Sequence, residues 1–313
     1  MEYSPVPSAE QLATLSDELC PGGSIDHERR LTGGLGCTMD VILVQERGGS
    51  HRKMVLRRYF APAREQGIDP VPRREMAALA LAGRNGVPVP ELIWADELGI
   101  FSEPALVISY IEGMSLLQPN DPLDWAKQLA LALVNVHAAD IDAATRSLLR
   151  DVHKEEVQKL HSPDPPIDIA EYPGGRAIWG KRRALFAGME FPTATFVHGD
   201  FHPGNTLWRD MGLVSVVDWE DAGFADPASD VAYCSTDMRY MGMSEAAQRL
   251  VDVYTAETGR VLTTLPYWEI AALCRPMPDI ARWFPSWEAV GFPATVDDFR
   301  RQHAALVERA LSS

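Results

Sequence analysis

Hydrophobic positions near the N-terminus follow first a helical and then a strand-like spacing. Leucines three or four residues apart follow Ser8, a favourable N-cap residue, and predict a short helix over residues 8–20. Two apolar runs, at residues 39–44 and 53–59, are separated by a glycine pair, which is typical of antiparallel strands joined by a turn. This part of the chain is therefore expected to contain an antiparallel sheet.

A helix and a further strand complete the predicted N-terminal region. Alanine and apolar residues at helical spacing over residues 74–82 predict the helix, and the stretch 86–90, rich in Pro and Gly, ends it. Residues 105–111 are strongly apolar, predict a strand, and stop at a Glu-Gly pair. We place a boundary there between two lobes, residues 1–111 and residues 112–313.

Helical spacing dominates the remainder of the chain. An apolar stripe behind Asp124, the expected N-cap, predicts a long helix, and the Pro- and Gly-rich residues 161–175 predict a loop. Residues 205–217 are typical of a β-hairpin, and most of residues 244–311 are helical in pattern. Strands followed by helices predict an α+β protein.

The composition is that of a globular protein. Hydrophobic residues make up 46% and charged residues 23% of the 313 positions. The longest apolar runs are far shorter than the ~20 residues that cross a bilayer, and the N-terminus lacks the pattern of a signal peptide. The four cysteines are far apart and form no C-x-x-C pair, so a zinc site is not predicted and a reducing cytoplasm is expected.

The formal net charge of −15 argues against binding to nucleic acids or to anionic membranes, because both require a basic surface. The same charge is compatible with a cationic small-molecule substrate. Many proteins are acidic for solubility alone, so the charge leaves both explanations open.

The most informative residues are three polar side chains at a defined spacing around the predicted hairpin. Asp200 precedes Asn205 in the segment HGDFHPGN, and Asp218 follows an apolar run further along the chain. Kinase-type phosphoryl transfer uses an Asp-x-x-x-x-Asn loop and then a metal-binding Asp at the end of a strand. Asp200 would face an attacking hydroxyl, while the oxygens of Asn205 and Asp218 suit Mg²⁺. The alternative is a hairpin with solvated turn residues.

Three glycines and one charged pair are candidates for contacts with nucleotide phosphates. Gly33, Gly34 and Gly36 form a turn whose backbone N–H groups could cover phosphates, although such glycines most often only mark a turn. Arg57 lies on a predicted strand and Glu75 begins the next predicted helix. Kinases pair a strand cation with a helix carboxylate in this way, whereas a strand arginine is otherwise usually solvated.

Two histidines and two further aspartates are expected to support the catalytic loop. His198 and His202 lack a third ligand at suitable spacing, so a metal site is disfavoured and bracing by hydrogen bonds is expected. Asp226 is expected to accept hydrogen bonds from loop amides, and Asp230 to start a helix.

Taken together, these residues resemble the aminoglycoside phosphotransferase and choline kinase superfamily over about residues 30–235. The pattern that carries the resemblance is His198-Gly199-Asp200-x-His202-x-x-Asn205, then Asp218-Trp219-Glu220, Gly223, Asp226-Pro227 and Asp230. The resemblance implies a protein-kinase-like two-lobe fold with an N-terminal sheet lobe and a larger, mainly helical C-terminal lobe. It further implies Asp200 as catalytic base, Mg²⁺ on Asn205 and Asp218, and ATP or GTP as donor.

The nucleotide site carries one departure from the family pattern. The resemblance implies that the adenine lies against a hinge at Ser109, Tyr110 and Ile111. The usual nucleotide-binding lysine is replaced by Arg57, with Arg58 beside it, and the planar guanidinium is not equivalent to a lysine point charge. Either arginine could therefore contact phosphate.

The acceptor does not follow from the resemblance, because members of the superfamily act on aminoglycosides, macrolides, choline, homoserine and sugars. The acidic composition favours an amine-bearing, aminoglycoside-like acceptor. Glu220 and Asp221 are candidate acceptor-binding carboxylates, with a solvated or structural role as the alternative for Asp221. A nucleotide-binding pseudokinase with a regulatory role is a further alternative, although the three residues Asp200, Asn205 and Asp218 are all present.

Overall fold

A five-stranded antiparallel sheet forms the N-terminal part of the protein. The computed structural model describes residues 4–31, 36–59, 70–97, 99–289, 291–292 and 294–312. The sheet order is β1-β2-β3-β5-β4, and every neighbouring pair is antiparallel. The strands are β1 (Ser24–Arg30), β2 (Cys37–Gln45), β3 (His51–Tyr59), β4 (Leu92–Asp96) and β5 (Ala105–Ser109).

The central strands are those whose apolar composition predicted them. β2, β3 and β5 have other strands on both sides, and their side chains are largely buried. β1 and β4 were not predicted from the sequence. Both are edge strands, and β1 has the polar sequence SIDHERR with only Ile25 buried, so it lacks the apolar signal of a central strand.

Two helices accompany the sheet. Helix α1 (Ala9–Leu19) begins with a capping box in which Ser8 accepts from the backbone of Gln11, as the N-cap prediction required. Helix α2 (Pro70–Arg84) follows β3 in the chain and includes the predicted helix 74–82. The buried face of α2 packs into an apolar cluster that also contains side chains of the C-terminal helices, so this cluster joins the sheet to the helical region.

The C-terminal region is mainly helical. Its helices are α3 (Pro122–His137), α4 (Ala143–Leu148), α5 (Val152–Leu160), α6 (Ile167–Glu171), α7 (Gly175–Ala187), α8 (Ala228–Tyr240), α9 (Ser244–Thr258), α10 (Leu265–Cys274), α11 (Phe284–Ala289) and α12 (Val296–Ser312). The predicted loop 161–175 contains the short helix α6, which the proline-rich sequence around it concealed.

The N-cap of α3 was assigned to the wrong aspartate. The structure places Asp121 at the cap, where its carboxylate accepts from the backbone N–H groups of Leu123 and Asp124 at 3.1 and 3.0 Å. Pro122 occupies the first turn, where its fixed φ and missing N–H cost nothing, so the helix begins earlier than the apolar stripe indicates. Asp124 lies in the first turn, where its charge favours the helix dipole.

Short strands hold the segments that carry the polar motif. Strands β8 (Thr206–Arg209) and β9 (Gly212–Val216) form the predicted hairpin. A second small sheet places β10 (Gly223–Ala225) between β6 (Arg150–Asp151) and β7 (Thr195–Val197). The HGDFHPGN segment therefore connects β7 to β8, and Asp218 lies in the connection from β9 to β10.

The remaining sequence expectations concern membranes and cysteines. Within the described ranges, no helix is both long and apolar enough to cross a membrane. The four cysteines, which all fall in those ranges, are free and buried.

Candidate active site

A cleft of about 580 Å³ is lined both by the N-terminal sheet and by the helical region. It brings together most of the predicted site residues, namely Arg57, Ser109, Tyr110, Ile111, Asp200, His202, Asn205, Asp218, Glu220 and Asp221. Gly33 and Gly34 lie outside the described residues. Gly36 lies against the cleft, since a Cβ atom there would be 2.6 Å from Glu220 Oε2.

Asp230 braces the loop that carries Asp200. Its carboxylate oxygens accept from the backbone N–H groups of His198 and Gly199 at 2.7 and 2.9 Å. His137 of α3 lies 3.2 Å from the same carboxylate. Burial would raise the pKa of Asp230, but the His137 hydrogen bond and nearby charges hold that pKa below its usual value. Asp230 lies in the first turn of α8 without capping it, because the helix already begins at Ala228.

The loop depends on a glycine beside Asp200. Gly199 has φ +82, and a Cβ atom at this position would lie 2.2 Å from the backbone oxygen of Asp221. Any larger residue would have to displace one of the two segments. The His198 ring contacts the Val217 backbone oxygen at 2.9 Å, which joins the loop to the segment that leads into Asp218.

The other two predicted support residues also make local contacts. His202 Nδ1 accepts from the backbone N–H of Gly204 at 3.2 Å, and the ring faces the cleft. Asp226 accepts from the backbone N–H of Ala228 and from the indole N–H of Trp268, both at 2.9 Å.

The Asp200 carboxylate is held on both sides. Arg275 Nη2 donates to its Oδ1 at 2.8 Å, and Asn205 Nδ2 donates to its Oδ2 at 3.2 Å. Burial raises the pKa of Asp200, but the charges of Arg275 and then His202 lower it, and the net pKa lies below its usual value. The side chain is therefore ionised at neutral pH and can accept a proton.

Asn205 and Asp218 are adjacent, because the backbone N–H of Val217 donates to the backbone oxygen of Asn205 at 2.9 Å. Since Asn205 uses its amide nitrogen toward Asp200, its amide oxygen is left for another partner. Asp218 has φ +68, a left-handed conformation that is strained for a non-glycine residue and that is often found at functional sites.

The oxygens of this pair fit Mg²⁺, which usually takes one or two protein ligands and completes its shell with water and substrate phosphates. In the part of the chain that the structure describes, no cluster of three or more His, Cys, Asp or Glu side chains could hold a metal by itself. A metal at Asn205 and Asp218 would therefore complete its shell with water and with oxygens of a bound nucleotide.

Arg57 is the buried cation of the cleft. One guanidinium nitrogen lies 3.3 Å from Glu75 and 2.8 Å from Asp218, and Glu220 lies 3.8 Å away. The Tyr59 hydroxyl donates to Glu75. Burial raises the pKa of Glu75, although the charge of Arg57 opposes the shift. Burial, together with the negative charge of Asp218, raises the pKa of Glu220 to about 8.

Arg58 cannot share this role. Neighbouring residues of a strand point to opposite faces of the sheet, and Arg58 pairs with Asp40 at 2.9 Å and Glu103 at 3.5 Å. Of the two arginines, only Arg57 lines the described cleft.

The two candidate acceptor-binding carboxylates differ in their surroundings. Asp221 Oδ1 accepts from Arg150 Nη1 at 2.6 Å, an ion pair that favours the structural alternative for this residue. Glu220 lies beside Arg57 and Asp218 in the cleft.

The cleft is also lined by side chains that were not predicted as site residues from the sequence. They are Tyr233 and Asp237 of α8, together with Arg275, Trp283 and Trp287. Helical periodicity indicates only that such positions are buried, and no short motif marks them, so their meeting at the cleft is a product of the tertiary fold.

Comparison with known sequences identifies the family. Residues 36–274 match the phosphotransferase enzyme family. The chain is 30% identical to viomycin phosphotransferase of Streptomyces vinaceus over 199 residues, which are 59% of this chain and 67% of that protein. It is 28% identical to the uncharacterized protein YcbJ of Bacillus subtilis (strain 168) over 160 residues, and this match spans 49% of each chain.

Comparison with solved structures identifies the fold. Spectinomycin phosphotransferase in complex with ADP and spectinomycin has a TM-score of 0.61 at 13% identity, with 98% of both chains covered. The macrolide 2′-phosphotransferase from Brachybacterium faecium has a TM-score of 0.59 at 22% identity, covering 95% of this chain and 98% of that one. A thermostable aminoglycoside phosphotransferase mutant with AMP-PNP and hygromycin B has a TM-score of 0.59 at 17% identity, covering 95% and 97%.

These likenesses confirm the predicted kinase-like α+β fold. The family match runs from the start of β2 to the end of α10 and includes the whole polar motif. The protein therefore belongs to the phosphotransferase enzyme family and is a small-molecule kinase.

Proposed function

We propose that the protein transfers the γ-phosphoryl group of ATP or GTP, with Mg²⁺, to a hydroxyl of a cationic small molecule of the aminoglycoside type. The observation that carries this proposal is the meeting of Asp200, Asn205 and Asp218 at one cleft. Residues 1–111 would form the nucleotide-binding lobe, and residues 112–313 the lobe with the catalytic loop and the acceptor site.

The nucleotide would occupy the sheet side of the cleft. Ser109, Tyr110 and Ile111 line it at the end of β5, and the apolar side chains of Val55 and Ile108 provide a surface for a planar base. The proposed phosphate-covering turn consists of Gly33, Gly34 and Gly36. Arg57, held by Glu75, is the proposed phosphate-contacting cation.

Asp200 is the proposed catalytic base. Its ionised carboxylate would accept the proton of the acceptor hydroxyl while that oxygen bonds to the γ-phosphorus and the bond to the nucleoside diphosphate breaks. Asn205 would orient Asp200 through its amide nitrogen and offer its oxygen, together with Asp218, to Mg²⁺. Bound there, Mg²⁺ would neutralise phosphate charge during transfer. Arg275 would keep the Asp200 carboxylate in place.

A cationic acceptor agrees with the charge of the chain and with its relatives. A net charge of −15 can focus negative potential in a cleft. Relatives named above are a viomycin and a spectinomycin phosphotransferase. If the acceptor is an antibiotic, its inactivation is the biological role that we propose. Such attraction weakens with salt, because exposed charges are screened beyond about 8 Å at physiological ionic strength.

The decisive experiment measures nucleotide binding and phosphoryl transfer separately. Calorimetry should show ATP or GTP binding that requires Mg²⁺ and is lost in Asp218→Asn. Asp200→Asn should still bind nucleotide, but its turnover on any verified acceptor should fall by about 10²-fold or more. Asp252→Asn removes the same charge from an exposed position on α9 and should behave as wild type.

The acceptor panel contains aminoglycosides, viomycin, a macrolide, choline, homoserine and a sugar, with product masses determined at low and high salt. Nucleotide binding that is indifferent to Mg²⁺ and to Asp218 would refute the metal assignment. Nucleotide binding with no transfer to any acceptor would instead support a pseudokinase. A neutral sugar as best acceptor would refute the cationic preference alone.

A further inference from the structure

The end of the cleft beyond Asp200 has aromatic walls. Tyr233 and Trp283 meet edge to face at 6.5 Å between ring centroids, and Trp287 lies 6.1 Å from the His202 ring. The Arg275 guanidinium stacks 3.9 Å from the Tyr233 ring centroid. These side chains come from α8, from α11 and from residues near α10, and they all line the cleft.

Asp237 is a buried acid in this region, and one of its carboxyl oxygens lacks a partner among the described residues. It lies on α8, is 1% exposed, and belongs to the lining of the cleft. Its Oδ1 has no hydrogen-bond partner among the described residues. Its Oδ2 lies 3.5 Å from His202 Nδ1, a long contact to a nitrogen that already accepts from Gly204.

A buried carboxyl oxygen without a partner costs free energy, and native proteins usually satisfy such an atom with a protein group, an ordered water or a bound ligand. Burial, and then the charge of Asp200, raise the pKa of Asp237, with Arg275 opposing the shift only partly. The guanidinium of Arg275 donates to Asp200 Oδ1 and to the backbone oxygen of Gly199. A cationic donor would supply the missing hydrogen bond and would also favour the ionised form of Asp237.

The position of Asp237 relative to Asp200 narrows the kind of molecule that could supply this donor. His202 lies between the two carboxylates, with Nε2 3.8 Å from Asp200 Oδ2 and Nδ1 3.5 Å from Asp237 Oδ2. A molecule whose hydroxyl faces Asp200 would thus present a neighbouring group to Asp237. The Asp200 carboxylate faces the same space, and its charge is already paired with Arg275. The aromatic walls suit a ring face or a cation, since both are attracted to aromatic faces.

We propose that Asp237, with the walls formed by Tyr233, Trp283 and Trp287, is the acceptor specificity subsite, and that it binds a protonated amine or guanidine close to the phosphorylated hydroxyl. This inference rests on the proposed function and narrows its acceptor class. It assigns the carboxylate that selects the acceptor to α8, whereas the sequence alone suggested Glu220 and Asp221 as acceptor-binding carboxylates.

The first test varies the ligand and leaves the protein unchanged. Wild-type protein saturated with Mg²⁺ and AMP-PNP is titrated calorimetrically with viomycin, spectinomycin, hygromycin B, choline, homoserine and glucose. The tightest amine-bearing compound is then compared with its N-acetylated form. We expect an amine to bind best and N-acetylation to weaken binding at least tenfold. If no amine-bearing compound binds, or if the acetylated form binds equally well, the inference is overturned.

The second test varies the protein. Asp237→Asn should weaken binding of the same compound at least tenfold and raise KM more than it lowers kcat, with AMP-PNP affinity within twofold of wild type. Trp283→Leu should weaken acceptor binding several-fold, and Asp252→Asn should change nothing. Unchanged acceptor affinity in folded Asp237→Asn would overturn the inference.

Thermal stability separates a binding role from a structural one. The amide keeps the shape of the carboxyl group and removes the buried ionisable group, so Asp237→Asn should melt at or above the wild-type Tm. A lower Tm with unchanged acceptor affinity would show that Asp237 is structural. Failure of the proposed function would be distinguishable, because AMP-PNP binding or phosphoryl transfer would then be absent from wild-type protein as well.

Discussion

The replacement Arg57→Met tests the buried charge arrangement at the nucleotide side of the cleft. The Arg57 side chain is 4% exposed and that of Glu75 is 1% exposed, so neither charge is solvated by water. Removing one partner of such a pair costs about 3–5 kcal/mol, because the other charge is left buried and uncompensated. The Asp218 carboxylate also loses its contact at 2.8 Å.

The loss of stability should depend on pH in a defined direction. Burial already raises the pKa of Glu75 in the presence of Arg57, and without the guanidinium it will be higher still. The folded variant then keeps a proton on Glu75 that the unfolded chain releases near pH 4.3. Between that pH and the folded pKa, the free energy of unfolding should fall by about 1.4 kcal/mol per pH unit as pH rises.

Urea unfolding, followed by tryptophan fluorescence from pH 5 to pH 8, measures these changes. The double variant Arg57→Met/Glu75→Gln should regain part of the lost stability and lose the added pH dependence. Its loss in kcat/KM should also be smaller than the product of the single losses, because the two residues act as a unit. The control is Arg58→Met, a buried arginine paired on the other face of the sheet, which Glu75→Gln should not rescue. Full additivity of the Arg57 and Glu75 changes would refute the reasoning.

Three further changes test two supports of the catalytic loop and one buried carboxylate of the helical region. Gly199→Ala should lower kcat and Tm together, because the new Cβ atom would lie 2.2 Å from the backbone oxygen of Asp221. The control Gly242→Ala has a similar φ and open space around it, so it should lower the free energy of unfolding by only about 1 kcal/mol. Asp230→Asn should lower the free energy of unfolding by about 1.5–3 kcal/mol and reduce kcat, since a charged acceptor of two loop amides is lost; unchanged urea unfolding would contradict this. The pKa of Glu156 is lowered, because the charges of Arg182 and Lys159 outweigh the effect of burial. The ionised carboxylate therefore stabilises the fold fully above about pH 4.3, and this contribution is lost as the pH falls through the pKa of the folded state. Glu156→Gln should therefore show a smaller decline in stability between pH 5 and 3 than wild type, and an equal decline would exclude this carboxylate as the cause.

The sequence predicted the parts of the molecule that short motifs or strong periodicity mark. The central strands, the hairpin and the group Asp200, Asn205 and Asp218 were found because their spacing has a local chemical reason. The edge strand β1 was not, since it buries one residue and carries mostly charged ones. Asp237 could not be predicted as a site residue, for a different reason. A carboxylate on a helix is ordinarily solvated, and its burial beside Asp200 arises only when distant helices pack together.

The contacts of Asp230 have a consequence for how long the enzyme stays active when heated. Its partner His137 contacts the Tyr254 hydroxyl of α9 at 2.8 Å, so the loop amides are tied through α8 to both α3 and α9. Local fluctuations cannot expose those amides unless this helical core opens. Their hydrogen exchange should accordingly proceed by global unfolding, and thermal inactivation should coincide with the melting of the helices. A stabilising substitution where α3 packs against α9 would then lengthen catalytic lifetime without touching the cleft.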